Sequence, residues 1–150
     1  MNNQDQLLKN NIFDVALFFL KHGPIKKNRL NDYLYLSKVY CCYFYEENMF
    51  LENAIATQNG PIFKELNVFN QKFYINTFNV NNFTNDKENF NRNELTVLNF
   101  VLSVFKTKSD KTVNDFAVND NAFLCVVDML HKKITQEKEV TLTIIKNSFF

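Results

Sequence analysis

KNRLNDYLYLSKVYCCYFY, residues Lys27 to Tyr45, decides the fold. Leu30, Leu34, Ser37, Cys41 and Phe44 recur at helical spacing and form one face. Tyr33, Tyr35, Leu36, Val39, Tyr40 and Tyr43 fill much of the remainder. A helix apolar on nearly every side is one that other elements surround. Its tyrosine hydroxyls then need partners or a route to water. The expectation is a mainly α protein: one helical bundle around this buried central helix.

Two dipeptides punctuate the chain on either side, Gly23-Pro24 and Gly60-Pro61, and they hold every glycine and proline in the sequence. Before the first, Leu8, Ile12, Val15, Ala16, Phe19 and Leu20 keep a helical period. Asn11 is placed to cap this helix, with Asp14 three residues on, and Gly23 suits the left-handed position beyond its end. After the central helix, Met49 to Gln58 reads as an extended strand or loop. Gly60 then serves as an N-cap and Pro61 as the first residue of a short helix reaching about Phe69.

Residues 67–93 are rich in Asn interleaved with Phe and are the least organised stretch. Lys72 to Val80 partly alternates, so small β elements are expected near 49–58 and 72–80. Order returns at Asn91, which has Glu94 at capping-box spacing and the stripe Leu95, Leu98, Leu102 and Phe105 behind it. Thr112 with Asp115 starts a short helix carrying Val113 and Phe116. Asp120 opens another helix, with Phe123, Val127, Leu130 and Ile134 inward. The tail with Ile144, Ile145, Phe149 and Phe150 is a last helix or a strand. The division is therefore a lead-in over 1–11 and one domain over 12–150 with a variable Asn-rich segment at 67–93.

The bulk numbers exclude several classes. At 150 residues the chain has the length of one domain, and 46% hydrophobic residues suffice for a core. Lys and Arg total 17 against 16 acids, a net charge of +1, without the basic excess of a dedicated nucleic-acid binder. Two glycines cannot build a glycine-rich phosphate cradle. The cysteines, Cys41, Cys42 and Cys125, are odd in number and fit a reducing compartment better than a disulfide framework. The residues show neither a secretory leader nor an apolar run of about 20 residues, so the expected location is the cytoplasm.

No constellation reads as catalytic. Cys41 and Cys42 lie in an aromatic helix, where burial raises a thiol's pKa and argues against a nucleophile. His22 and His131 sit at helix ends. Two histidines and scattered cysteines do not make a zinc site. Glu46-Glu47, Asp110, Asp115 and Asp120 fall at helix boundaries, where carboxylates cap. Lys26, Lys27 and Arg29, with Lys132-Lys133, form small basic clusters suited to a solvated face. No cofactor is expected, and none of these groups is expected to do catalysis.

Three stretches resemble the Panacea domain family, the antitoxin-associated group that includes SocA-like and phage-associated GepA-like proteins. One is Phe13-Asp14-Val15-Ala16 through Phe18-Phe19-Leu20. The second is Ile25 to Leu36, with Leu30, Leu34 and Tyr35 in the family's KLxKLLYF-like pattern. The third is Phe50 to Leu66, with Ala56, Gly60-Pro61-Ile62 and Glu65-Leu66 in its GPV-x-x-E-L-like run. Thr57 and Asn59 stand where aromatic residues are usual, Asp32 where Lys is usual and Lys26 where a capping Thr is usual. The resemblance implies a non-enzymatic protein-binding module that neutralises a toxin encoded nearby, with some members acting as adaptors that pass the toxin to a protease. Its contact residues are expected at Asn59, Gly60, Pro61, Ile62 and Phe63, and at Tyr43 and Tyr45. The rival readings are a nucleic-acid-binding regulator, which needs a basic stripe joining Lys26, Lys27, Arg29 and Lys38, and a small enzyme. A self-associating structural protein is a third.

Overall fold

The computed structural model describes residues 10–66, 77–83, 89–133 and 138–149. Six helices carry most of these residues: α1 (Ile12–Leu20), α2 (Lys27–Tyr45), α3 (Arg92–Phe105), α4 (Asp110–Val118), α5 (Asn121–His131) and α6 (Leu142–Phe149). Five short strands join them: β1 (Ile25–Lys26), β2 (Ala54–Thr57), β3 (Gly60–Ile62), β4 (Thr77–Phe78) and β5 (Glu139–Val140). No described helix is long and apolar enough to cross a membrane.

The central helix runs over the span the sequence predicts, and twelve of its residues are buried. Helices α1, α3, α4 and α6 and strands β1 and β3 all touch it. Its tyrosine hydroxyls find partners: Tyr35 and Tyr43 both donate to Asp120, at 2.6 and 2.7 Å. Asp120 also caps α5, accepting from the backbone N–H groups of Ala122 and Phe123. One carboxylate thus locks α5 to two turns of α2. Burial and the Asp120 charge push both tyrosine hydroxyls above their ordinary pKa.

Two other buried polar side chains of α2 organise loops. The Lys38 ammonium, 1% exposed, donates to the carbonyls of Phe50 and Glu52 at 2.8 and 2.6 Å. Asn31 accepts from the Phe63 backbone N–H at 2.9 Å. The irregular segment after α2 is thereby fixed to the helix it leaves, with Met49 and Phe50 fully buried.

Capping follows the sequence at three of the helix starts. Asn11 with Asp14 and Asn91 with Glu94 form complete capping boxes. Asp120 caps α5. Gly23 takes φ +131° after α1, a conformation open to glycine. The lead-in is shorter than expected: Asn10 is buried and exchanges hydrogen bonds with Asn89, so residues 10 and 11 belong to the fold. Helix α4 starts earlier than Thr112, with Ser109 as its cap. The inward stripes are rotated too. In α3 Val97, Leu98, Val101 and Phe105 are buried while Leu95 is exposed, and in α5 the buried residues are Ala122, Phe123 and Val126. Leu8, Ile134, residues 67–76 and residues 84–88 lie outside the described residues.

The largest correction concerns Gly60-Pro61. No helix starts there. Gly60, Pro61 and Ile62 form β3, which pairs antiparallel with β2 in the register Thr57↔Gly60, Ala56↔Pro61 and Ile55↔Ile62. The connection is the two-residue turn Gln58-Asn59. Gly60 has φ +121°, which no helix start uses, and Thr57 Oγ1 donates to the Gly60 carbonyl at 2.7 Å. The dipeptide therefore ends a hairpin turn, and residues 64–66 form a 3₁₀ turn, with the rest of the expected helix outside the described residues. Strand β5 pairs with the other edge of β2, and β4 pairs with β1.

Candidate partner-binding surface

The residues expected at the contact surface separate into two places. The hairpin end meets the start of α2, where the Phe63 backbone N–H donates to Asn31 and Gly60 lies against Asp32. Tyr43 and Tyr45 lie near its other end, about 16–21 Å away along the axis at 1.5 Å per residue. Phe63 is not a surface residue. It is fully buried, with its ring edge-to-face against Phe50 at 5.6 Å. Gly60 and Pro61 are buried as well, Ile62 is half-buried and Asn59 is exposed. Tyr43 is half-buried with its hydroxyl committed to Asp120, and Tyr45 is partly exposed.

At the hairpin end a polar cleft of about 340 Å³ opens between α2, α4 and the β2–β3 turn. Asp32 forms its floor and is 2% exposed. The Asn114 amide donates to both Asp32 carboxylate oxygens, at 3.3 and 3.2 Å, and to the Asn59 carbonyl at 3.1 Å. Burial pushes the Asp32 carboxyl up to about 7, against the opposing pull of the Asn114 hydrogen bond and the Arg29 charge. Arg29 itself is turned away from Asp32. It donates to Asp110 at 2.8 Å, to Tyr33 at 3.0 Å and to the Phe105 carbonyl. That pairing holds the Asp110 carboxyl below its ordinary range.

At the other end of α2, two exposed aromatic rings, Phe44 and Phe100, gather on the half-buried Tyr40. Tyr40 and Phe44, one turn apart, both meet Phe100 of α3 edge-to-face, at 5.9 and 6.3 Å. Phe44 is 60% exposed and Phe100 is 44% exposed. Most phenylalanines described here pack inside; these two, like Phe116 on α4 against Phe105, are held by ring contacts and still lie open to solvent. An exposed aromatic cluster of this kind marks a contact surface more often than it serves the monomer.

The groups weighed as chemical candidates do not converge. Cys41 and Cys42 are buried, and burial pushes the Cys42 thiol up, away from reactivity. Cys125 is exposed on α5. His22 and His131 are exposed at helix ends, with His22 Nδ1 3.0 Å from the Phe18 carbonyl oxygen. Glu47 accepts from the side chains of Asn91 and Asn93. Glu46 ends α2 with φ 56°. Among the described residues no group of three or more His, Cys, Asp or Glu gathers at metal-binding distance. The stripe Lys26, Lys27, Arg29 and Lys38 does not form, because Lys38 is buried.

Sequence reasoning missed Phe44 and Phe100 as contact residues and Asp32 and Asn114 as a cleft. The spacing of Tyr40 and Phe44 was visible, but which face of an almost wholly apolar helix stays open depends on where α3 lies. Comparison of the chain with protein families, with curated proteins and with solved structures finds no match.

Proposed function

We propose that this protein is a non-enzymatic binding module that neutralises a protein partner, in the manner of the antitoxin-associated domains its sequence resembles. The observation that carries the reading is the open aromatic cluster of Tyr40, Phe44 and Phe100. Interfaces that bury about 800 Å² per side centre on such rings, whose large rigid surfaces gain more from burial than they lose in entropy. The mechanism is steric: the partner's working surface is covered, and the partner is inactive while bound. On this reading the end of α2 stays a contact region, centred on Phe44 in place of Tyr43, and Tyr45 sits at its edge. Asn59 and Ile62 contribute through the hairpin, and Gly60, Pro61 and Phe63 act by shaping it.

The test is co-expression with the product of the neighbouring reading frame. That product alone is expected to arrest growth, and this protein is expected to relieve the arrest. A Phe44→Ser, Phe100→Ser pair is expected to abolish relief while leaving the melting temperature within a few degrees. A neighbour that is harmless alone, or equal relief by the double variant, removes the reading.

A further inference from the structure

Three concavities meet around the Arg29–Asp110 ion pair. One, of about 390 Å³, runs from the Gly23-Pro24 turn to the end of α3 and is rimmed by Lys26 and Lys106. A second, of about 380 Å³, lies over the start of α2 at Lys26 and Lys27. The third is the Asp32 cleft, rimmed by Lys111. Among the described residues that line them, five cations, Lys26, Lys27, Arg29, Lys106 and Lys111, stand against two carboxyls, Asp32 and Asp110. This lining is basic in a chain whose net charge is only +1. Lys26, Lys106 and Lys111 are all on exposed positions.

The groove and the aromatic cluster lie on the same side of α2. On a helix of 100° per residue, Arg29, Tyr33, Tyr40 and Phe44 fall within about one sixth of a turn of each other. The same stripe borders α3, which runs antiparallel: Arg29 meets the Phe105 carbonyl at one end, and Tyr40 meets Phe100 at the other. One α2–α3 seam therefore carries a basic groove and, about 17 Å along, an open aromatic cluster.

We infer that the groove around Arg29 and Asp110 receives an acidic segment of the same protein partner whose apolar surface covers Phe44 and Phe100. The inference rests on the protein-binding reading above. One feature favours carboxylates of a protein over a nucleic-acid backbone. The aromatic rings under the groove, Phe19 and Tyr33, are buried and offer no platform for stacked bases.

The probe is fluorescein-labelled hexaglutamate, read by anisotropy at 20 and 200 mM salt, with labelled dT12 in parallel. Hexaglutamate is expected to bind at low salt and to weaken at high salt. Lys26→Glu, Lys106→Glu, Lys111→Glu together should weaken binding at least tenfold. An equal charge change away from the groove, Lys64→Glu, Lys132→Glu, Lys133→Glu, should weaken it less than threefold. Equal losses in the two triple variants, absence of hexaglutamate binding, or tighter binding of dT12 each overturn the inference. None of these results touches the aromatic cluster, so failure here with relief still lost in the Phe44, Phe100 pair sinks the groove alone. Hexaglutamate binding with relief unaffected by that pair sinks the protein-neutralising reading and with it the shared partner, and leaves only a groove that binds acidic peptide.

Discussion

Asn114 lies so close over Gly60 that a Cβ at residue 60 would meet its amide nitrogen at 2.6 Å. The same amide holds the Asp32 carboxylate and the Asn59 carbonyl, so the turn, α4 and the floor of the cleft share one hydrogen-bonding group. Gly60→Ala adds this clash to a backbone angle, φ +121°, that side chains rarely adopt. It should destabilise the protein by about 1–3 kcal/mol in urea unfolding. Adding Asn114→Ala should relieve the clash and leave the backbone strain, giving a double variant more stable than the sum of the singles. Strict additivity would show that the contact does not exist.

The Asp32 carboxyl sets a pH dependence. Its folded pKa, about 7, lies above the ordinary 3.8, so the folded state holds the proton more tightly than the unfolded one. That contribution to stability is fully present below about pH 4 and is lost as the pH rises to about 7. Asp32→Asn removes the ionisation, so its stability relative to the parent should improve by about 1–3 kcal/mol between pH 4 and pH 8. Asn114→Ala removes a hydrogen bond that favours the charged form and should raise the Asp32 pKa further, read from the carboxyl carbon shift by NMR.

Asp120 joins α5 to two turns of α2 with one side chain. Asp120→Ala loses the α5 cap and strands the hydroxyls of Tyr35 and Tyr43. The expected cost is about 2–4 kcal/mol, combining a cap with two charged hydrogen bonds. Tyr43→Phe removes one donor and should cost about 1 kcal/mol. Equal losses for both, measured by chemical denaturation, would place the effect outside this network.

Phenylalanine truncations should divide sharply by position. Phe63→Ala empties a buried ring site against Phe50 and should cost about 3–5 kcal/mol. Phe44→Ala removes a ring that is mostly in water and should change stability by less than about 1 kcal/mol. A large loss at Phe44 in thermal unfolding would make the aromatic cluster a part of the core.

Local signals carried well where the reading needed only local physics. The span of α2, the caps at Asn11, Asn91 and Asp120, and the glycine at residue 23 depend on neighbours a few residues away. Gly60-Pro61 failed because the same dipeptide launches a helix or closes a hairpin, and the choice rests on Ala54–Thr57 being available to pair. Phe63 was misplaced for a related reason: an aromatic residue after a turn looks exposed until Asn31 and Phe50 are seen to receive it. Asp32 gave no local sign at all. Its partner is 82 residues away, and an acid in mid-helix ordinarily points to solvent.

Strand β2 is completed from both sides, by β3 immediately and by β5 from about eighty residues further on. During synthesis the hairpin forms early, while the far edge of β2 stays uncovered until Glu139 and Val140 have left the ribosome. Until then the nascent chain carries an unmated strand edge, open to pairing with another copy.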